Sequence, residues 1–495
     1  MYLQELLKYL MVAGLLLSSA ETRATTADEQ VCDSCVDEDG EDCALRTPGE
    51  WLTAESPDFL RSLFTADGRA NPLKQQQWGP LGWEAGGELR YRHMHEENRL
   101  RAGGPGNTDY DLWRFLPHLR MSWQETASVY VQAIDASMSG LDAPYSPSQI
   151  DINRTDLLQC WADVRVLATE DATLKYRFGR QLLRYGGERL LSHLGWANTQ
   201  RNFEGHKLLF AAADWDVDLF AMQSVNAAAG NTPRPTSFDR ADQSRWISGI
   251  YSTWKGIENQ TLDLYCIHFD ESESSIALMD GRRTTIGTRL AGKQAAAEST
   301  AWSGVLSWDT EVAWQTGRDN FLSADARRVN AGMLASTVGY ELSDVPLKPG
   351  AGGIFYYGTG DASPGSGNIN TFYTMYPWGH AYWGQIDNFS GQNLIDYGVQ
   401  GSLKPTEKLS LISQWHYFDL ARAADRIYTI SGTALAGSGD RHVGTELDLI
   451  ANYNFSPAFS VQLGYLEFLY GAAVSRSALV RPDAQQIYAQ VTWSF

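Results

Sequence analysis

After residue 20 the chain has no run of 18 consecutive apolar residues, so a helical membrane span is not expected. It is short of positive charge: 40 Lys and Arg stand against 59 Asp and Glu, a formal net charge of −19, and no nucleic-acid partner is expected. Cysteine is sparse, with five in 495 residues. Cys32, Cys35 and Cys43 sit together in an acidic stretch, whereas Cys160 and Cys266 lie far apart in strand-like runs. In an exported chain the cluster reads as a local disulfide with a spare thiol. No second Cys or His pair stands near it to complete a zinc site, so no metal is assigned. There is no Gly-x-Ser-x-Gly, no His-Glu-x-x-His and no phosphate-cradling Gly-rich loop with Lys, and His268, His416 and His442 are scattered. Neither an enzyme nor a cofactor is expected.

What is present is aromatic side chains and glycine: 23 Tyr, 17 Trp, 18 Phe and 45 Gly, in a chain whose mean hydropathy is only −0.32. That balance suits strands with one apolar face. The length by itself would allow about two to four domains, but a large barrel uses several hundred residues as one unit. Residues 9–17 form a short apolar run followed by Ser18-Ser19-Ala20, so 1–20 is expected to be a secretory signal, with Lys8 as its basic residue. Residues 21–85 show no sustained periodicity and are read as an irregular acidic extension that carries the Cys cluster.

From residue 86 to 495 strand-like runs recur, and their separators alternate in length. Short ones fall at 124–127, 169–171, 213–214, 255–259, 291–300, 343–349, 404–408 and 456–458. Long ones, rich in Gly, Pro, Asp, Asn and Ser, fall near 97–109, 138–158, 182–200, 227–244, 271–281, 317–328, 361–392, 420–443 and 471–483. Nine long and eight short separators join eighteen strands. The expected fold is all-β: a monomeric transmembrane antiparallel β-barrel of about 18 strands, with short periplasmic turns and long extracellular loops. The last strand agrees, with Ile487, Ala489, Val491, Trp493 and Phe495 on one face and Gln486, Tyr488, Gln490, Thr492 and Ser494 on the other. In lipid the apolar face points outward and the polar face lines the lumen.

The polar faces can then be read as pore lining. Arg90 and Arg92 lie opposite Leu89 and Tyr91; Arg114 and Arg120 lie opposite Trp113, Phe115, Leu119 and Met121. Asp163 and Arg165 lie opposite Val164 and Val166, and Lys175 and Arg177 opposite Leu174, Tyr176 and Phe178. Basic residues gather in the first third of the barrel, whereas Asp163, Glu311, Glu446 and Asp448 look fewer and scattered. A basic ring in a low-dielectric pore selects anions, and the planar Arg fork matches a carboxylate. Strict alternation puts Arg180 on the lipid side with Phe178, unless a bulge at Gly179 re-aims it or the strand has already left the membrane. The loop at 361–392, long and aromatic, is the expected plug.

Two blocks carry a resemblance. The first is Phe178-Gly179-Arg180-Gln181, then Tyr185-Gly186-Gly187-Glu188-Arg189-Leu190, Trp196, Asn198, Arg201 and Phe203 with Gly205. The second is Tyr356-Tyr357-Gly358-Thr359-Gly360-Asp361, Asn370-Thr371-Phe372 and Tyr376-Pro377-Trp378-Gly379-His380-Ala381-Tyr382-Trp383-Gly384-Gln385-Ile386-Asp387, continued by Trp415-His416-Tyr417-Phe418. Together they resemble the alginate-export family of outer-membrane proteins over roughly residues 86–495. The resemblance implies a bacterial outer-membrane location and passage of a polyuronate through an electropositive constriction. By position it points to Arg90, Arg114, Arg165, Arg177, Arg180, Arg184, Arg189 and Arg201, with Glu188 and Asn198 in the same motif. The expected function is diffusion of an alginate-like anionic polysaccharide through a basic pore, in contact with outer-membrane lipid and with periplasmic secretion partners. The alternatives are an anion-selective porin for small solutes and a barrel-borne enzyme.

Overall fold

The computed structural model describes residues 73–74, 76–228, 230–234, 236–272, 281–296, 303–320 and 325–495. The signal segment 1–20, and the extension up to residue 72 with Cys32, Cys35 and Cys43, lie outside the described residues. Eighteen wall strands follow a short lead-in strand, Gln76–Trp78. They are β1 Leu81–Glu97, β2 Asn107–Trp123, β3 Ala127–Ser139, β4 Asn153–Ala168, β5 Ala172–Gln181 and β6 Phe203–Ala212. Next come β7 Trp215–Val225, β8 Ala241–Ile257, β9 Gln260–Glu271, β10 Gly281–Ala295, β11 Gly304–Asp319 and β12 Arg327–Leu342. The last six are β13 Gly350–Gly358, β14 Leu394–Leu403, β15 Leu409–Leu420, β16 His442–Ser456, β17 Phe459–Tyr470 and β18 Ala484–Ser494.

Each strand pairs antiparallel with the next, and β18 closes on β1 through the register Leu89↔Trp493 and Arg92↔Gln490. Closure removes the open edges that lipid would leave without hydrogen bonds. The first wall strand begins at Leu81, five positions before the alternation becomes readable at residue 86. Gly82, Gly86 and Gly87 interrupt the side-chain pattern there while the backbone pairing with β2 continues.

Side chains sort as the alternation requires. Trp113, Phe115, Val164, Phe178, Leu219, Ile286, Val312, Trp314, Val338, Val399 and Trp415 are exposed on the outer wall, where lipid covers them. Their neighbours in sequence, among them Arg114, Asp163, Glu311 and Gln315, are buried on the inner side. The apolar core lies inside the barrel: Phe372, Trp383, Ile386 and Phe389 of the 359–393 loop pack against Tyr356 of β13, Phe418 of β15 and Phe468 of β17. Aromatic residues in that loop fill the lumen because they are the part of a long loop that gains from leaving water. Cys160 and Cys266 are free thiols in β4 and β9.

Candidate functional site: two loops folded into the lumen

Loop 182–202 turns inward directly after β5. Gly186 makes the turn possible: its φ of +53° is left-handed, and a methyl group there would collide with the Tyr251 hydroxyl of β8. Tyr185 fixes the entry by donating to Asp218 of β7 at 2.9 Å. At its far end Arg189 places one guanidinium nitrogen 3.0 Å from both Asp309 and Glu311 of β11. Arg289 of β10 also bonds Asp309, at 3.0 Å, and Asp263 of β9, at 2.8 Å. All five groups are buried, a setting in which charges persist only when paired.

The other end of the loop meets the opposite wall. Arg90 donates to the carbonyls of Gly195 (3.1 Å) and Ala197 (2.6 Å). Arg92 donates to the Trp196 carbonyl and to the Gln490 side chain, both at 2.8 Å. Arg114 shares the Gly195 and Ala197 carbonyls and also bonds Glu88 at 2.5 Å. The Arg92 guanidinium lies 3.4 Å over the Trp196 ring, whose opposite side stacks on His380 at 3.9 Å. No described carboxylate lies within 4.0 Å of Arg90 or Arg92, so both keep their charge on neutral partners.

The 359–393 loop packs onto this bridge. Trp378 N–H donates to the Glu188 carbonyl at 2.9 Å, Tyr376 pairs with Leu191 as an isolated bridge, and Arg201 donates to the Pro377 carbonyl at 2.7 Å. Tyr382 donates its hydroxyl to the Gly187 carbonyl and lies 4.2 Å from the Arg189 guanidinium. Gly384, at φ +80°, runs so close to the Glu446 carboxylate that any side chain there would collide with it. The Ile386 N–H then donates to Glu446 at 2.8 Å. The expectation of an inward 361–392 loop therefore corresponds to an observed filling of the lumen, shared with 182–202.

The acidic residues are not scattered. Antiparallel register aligns His416 of β15 with Glu446 of β16 and Gln414 with Asp448, and Asp396 of β14 bonds His416 at 2.8 Å. Asp396, Glu446 and Asp448 thus form one buried acidic wall, invisible in sequence because it depends on three strands being neighbours.

The sequence-selected residues divide by partner. Arg177 forks onto Asp163 at 2.6 and 2.8 Å and lies 3.6 Å over Trp161. Arg165 bonds Glu125 in the β2–β3 turn at 2.6 Å. Arg120 and Lys175 are exposed on the inner face near the short turns. Arg180 departs from a pore position. Its register partners are Cys160 and Glu204, and it bonds Glu204 and the carbonyls of Leu157 and Asp239, the latter in the long 226–240 loop. The strand is ending there, so a lipid-facing parity is covered by loop. Asn198 also departs: its amide is occupied by the carbonyls of Trp113, Ser137 and Asp151, a staple at the loop's exit. Arg189 likewise offers no free guanidinium.

Glu188 organises the loop internally, accepting from Ser192 (2.5 Å), His193 Nδ1 (3.1 Å) and Arg184 (3.1 Å). Burial alone would raise its carboxyl, but these donors and the Arg184 charge outweigh burial and hold it at about 2. Burial pushes His193 down despite Glu188, so the geometry is that of a neutral imidazole donating Nδ1–H to a carboxylate. Burial lowers Arg201 to about 10, which leaves it protonated at neutral pH.

Residues 83–483 match the alginate-export family. Among solved structures, Pseudomonas aeruginosa OccK11 (OpdR) is similar at 13% identity and a TM-score of 0.54, over 83% of this chain and 96% of that one. Pseudomonas aeruginosa OccK8 (OprE) gives 13% identity and 0.53, over 83% and 98%. Pseudomonas aeruginosa OpdK with vanillate gives 12% and 0.53, over 83% and 98%. At such identity the likeness is one of fold. No curated protein matches.

Proposed function

Since this chain belongs to the alginate-export family and forms an outer-membrane channel, we propose that it passes an anionic polysaccharide of the alginate-like polyuronate type by diffusion. The observation that supports this reading best is the pair Arg90 and Arg92, buried at the loop bridge without a carboxylate. Their uncancelled charge lies in a low-dielectric setting, where it attracts anions strongly. The exposed Arg120 and Lys175 extend positive potential toward the periplasmic mouth, and Arg201, held by the Pro377 carbonyl, adds charge at the loop bridge itself. The polymer needs neither a nucleotide nor a cofactor to move down such a path. Arg184 and Arg177 stand beside this path, whereas Glu188, Arg189, Asn198 and Arg180 brace the loops and the wall around it and are not contact residues.

One observation favours a second reading, an anion-selective porin for small solutes: both inward loops pack into the lumen and bond to each other there. Planar-bilayer recording separates the two. Anion-selective current blocked by polyuronate is the outcome expected of polysaccharide passage. Anion current indifferent to polymer supports the porin, and absence of current rejects both.

A further inference from the structure

A cavity of about 260 Å3 lies inside the barrel against β10–β15, below the two loops. Tyr382 and Ala381 form its roof, and Tyr382 is the residue that packs against Arg189. The cavity therefore abuts the loop bridge. Its other boundary reaches Glu341, Gly350 and Lys404, where β12, β13 and β14 meet their short turns. It lies toward the short-turn, periplasmic end of the barrel.

The lining differs from the arginine wall. Ser307, Thr337, Gln400 and Gln414 present hydroxyl and amide groups from two pairs of neighbouring strands, β11 with β12 and β14 with β15. Between them Gly339, Gly350 and Gly401 leave a smooth surface with no side chain to obstruct a ring. Ile354 and Ile412 supply apolar contact, as Tyr382 does from above. Lys404 is tied to Glu341 at 2.8 Å, but Lys293 has no described carboxylate within 4.0 Å. The combination offers hydrogen bonds in several directions, a flat apolar and aromatic surface, and one uncancelled ammonium. A pyranose ring carries hydroxyls around its edge and C–H groups on its faces, and a uronate adds a single carboxylate. The size is just under the roughly 300–1,000 Å3 usual for a small-molecule site, which suits one sugar unit more than a folded chain.

We propose that this chamber is a periplasmic-side subsite for a single uronate residue, with the sugar hydroxyls on Gln400, Gln414, Ser307 and Thr337 and the carboxylate on Lys293. The proposal rests on the polyuronate reading above. It makes the chamber the place where a chain is held before it threads past Arg90 and Arg92.

The test uses full-length protein in planar bilayers with uronate trimers added to the periplasmic side, and neutral trisaccharides as the comparison. Gln400→Ala with Gln414→Ala forms one variant and Lys293→Gln the other; retained heat-modifiable migration shows that each has folded. In wild type, uronate trimers are expected to give resolved blocking events and neutral trimers much shorter ones. Each variant is expected to shorten the uronate dwell time about tenfold, the size of a lost hydrogen bond to a charged or multiply bonded ligand. Wild-type dwell times in both variants would overturn the subsite while leaving passage of long polymer intact. A shorter dwell only in the Gln variant would overturn the uronate assignment in favour of a neutral sugar. Wild type unblocked by trimers and by long polyuronate alike would overturn this proposal together with the transport reading.

Discussion

Near β1 and β2, loop 182–202 is held by Arg90, Arg92 and Arg114, which reach out from the wall to its carbonyls. Against β11 the direction reverses, and the wall's Asp309 and Glu311 hold the loop's own Arg189. Both contacts are buried, inward-facing and built on arginine, yet only the first leaves net positive charge in the lumen. A carbonyl satisfies the N–H donors of a guanidinium and leaves its charge uncancelled, whereas a carboxylate removes it. An inward arginine is therefore not by itself a pore charge; its counter-group decides. The same distinction separates Arg177, neutralised by Asp163, from Arg201 on the Pro377 carbonyl.

The comparison predicts different consequences of removing each anchor. Arg189→Met should leave Asp309 with Arg289 and Glu311 with the neutral Tyr265 hydroxyl, and breaking a buried pair costs about 3–5 kcal/mol. Thermal unfolding in detergent should show the loss, with noisier single-channel current as the loop lifts. Adding Glu311→Gln should recover part of it, and no recovery would mean that ion pairing is not what holds that end.

Acid should act next most strongly, through Glu188. Its carboxyl is held at about 2 against an ordinary value of 4.5. A depressed value means stabilisation that is full above about pH 5 and is lost as pH falls toward 2. The shift corresponds to roughly 3 kcal/mol. His193 works in the same direction, since a buried neutral imidazole opposes protonation as pH drops below its usual range. Glu188→Gln should flatten the pH dependence of unfolding measured between pH 7 and pH 3; an unchanged slope would contradict the role given to this cluster.

At the carbonyl-bound end, Arg90→Gln with Arg92→Gln keeps hydrogen-bond donors while removing two charges. The expected stability change is smaller, about 1–3 kcal/mol, including the lost contact between Arg92 and Trp196. The larger readout is ion selectivity: reversal potentials in a salt gradient should move toward cation preference. A reversal potential equal to that of wild type would mean that the carbonyl-bound arginines do not set the pore's sign.

What could be read from the chain is what has period two. The inward placement of Arg90, Arg92, Arg114, Asp163 and Arg177 followed from alternation with lipid-facing neighbours, and loop lengths gave the strand order. Partners could not be read in the same way. Arg90 meets Ala197 across 107 positions, Arg189 meets Asp309 across 120, and Arg92 meets Gln490 across 398. The last contact exists only because the first and last strands close the barrel. At the ends of strands alternation gives parity but not surroundings: Arg180 keeps its lipid-side parity and is governed by the loop above it. The acidic wall of Asp396, Glu446 and Asp448 needed two registers across three strands to assemble.

The smallest effect is expected at the rim, where two arginines of the same sequence pattern can be set side by side. Arg165 bonds Glu125, a residue whose side chain is 85% exposed in a turn, so water and salt already screen the pair. Arg177 bonds Asp163, whose side chain is 8% exposed, and covers the Trp161 ring. Arg165→Gln should change stability by no more than about 0.5 kcal/mol and leave reversal potentials where they are. Arg177→Gln should cost more, because it strands Asp163 on the inner wall and adds unopposed negative charge to the pore. Equal effects in unfolding and in selectivity would mean that solvent reaches Asp163 as freely as Glu125, and that the counter-group does not separate these two positions.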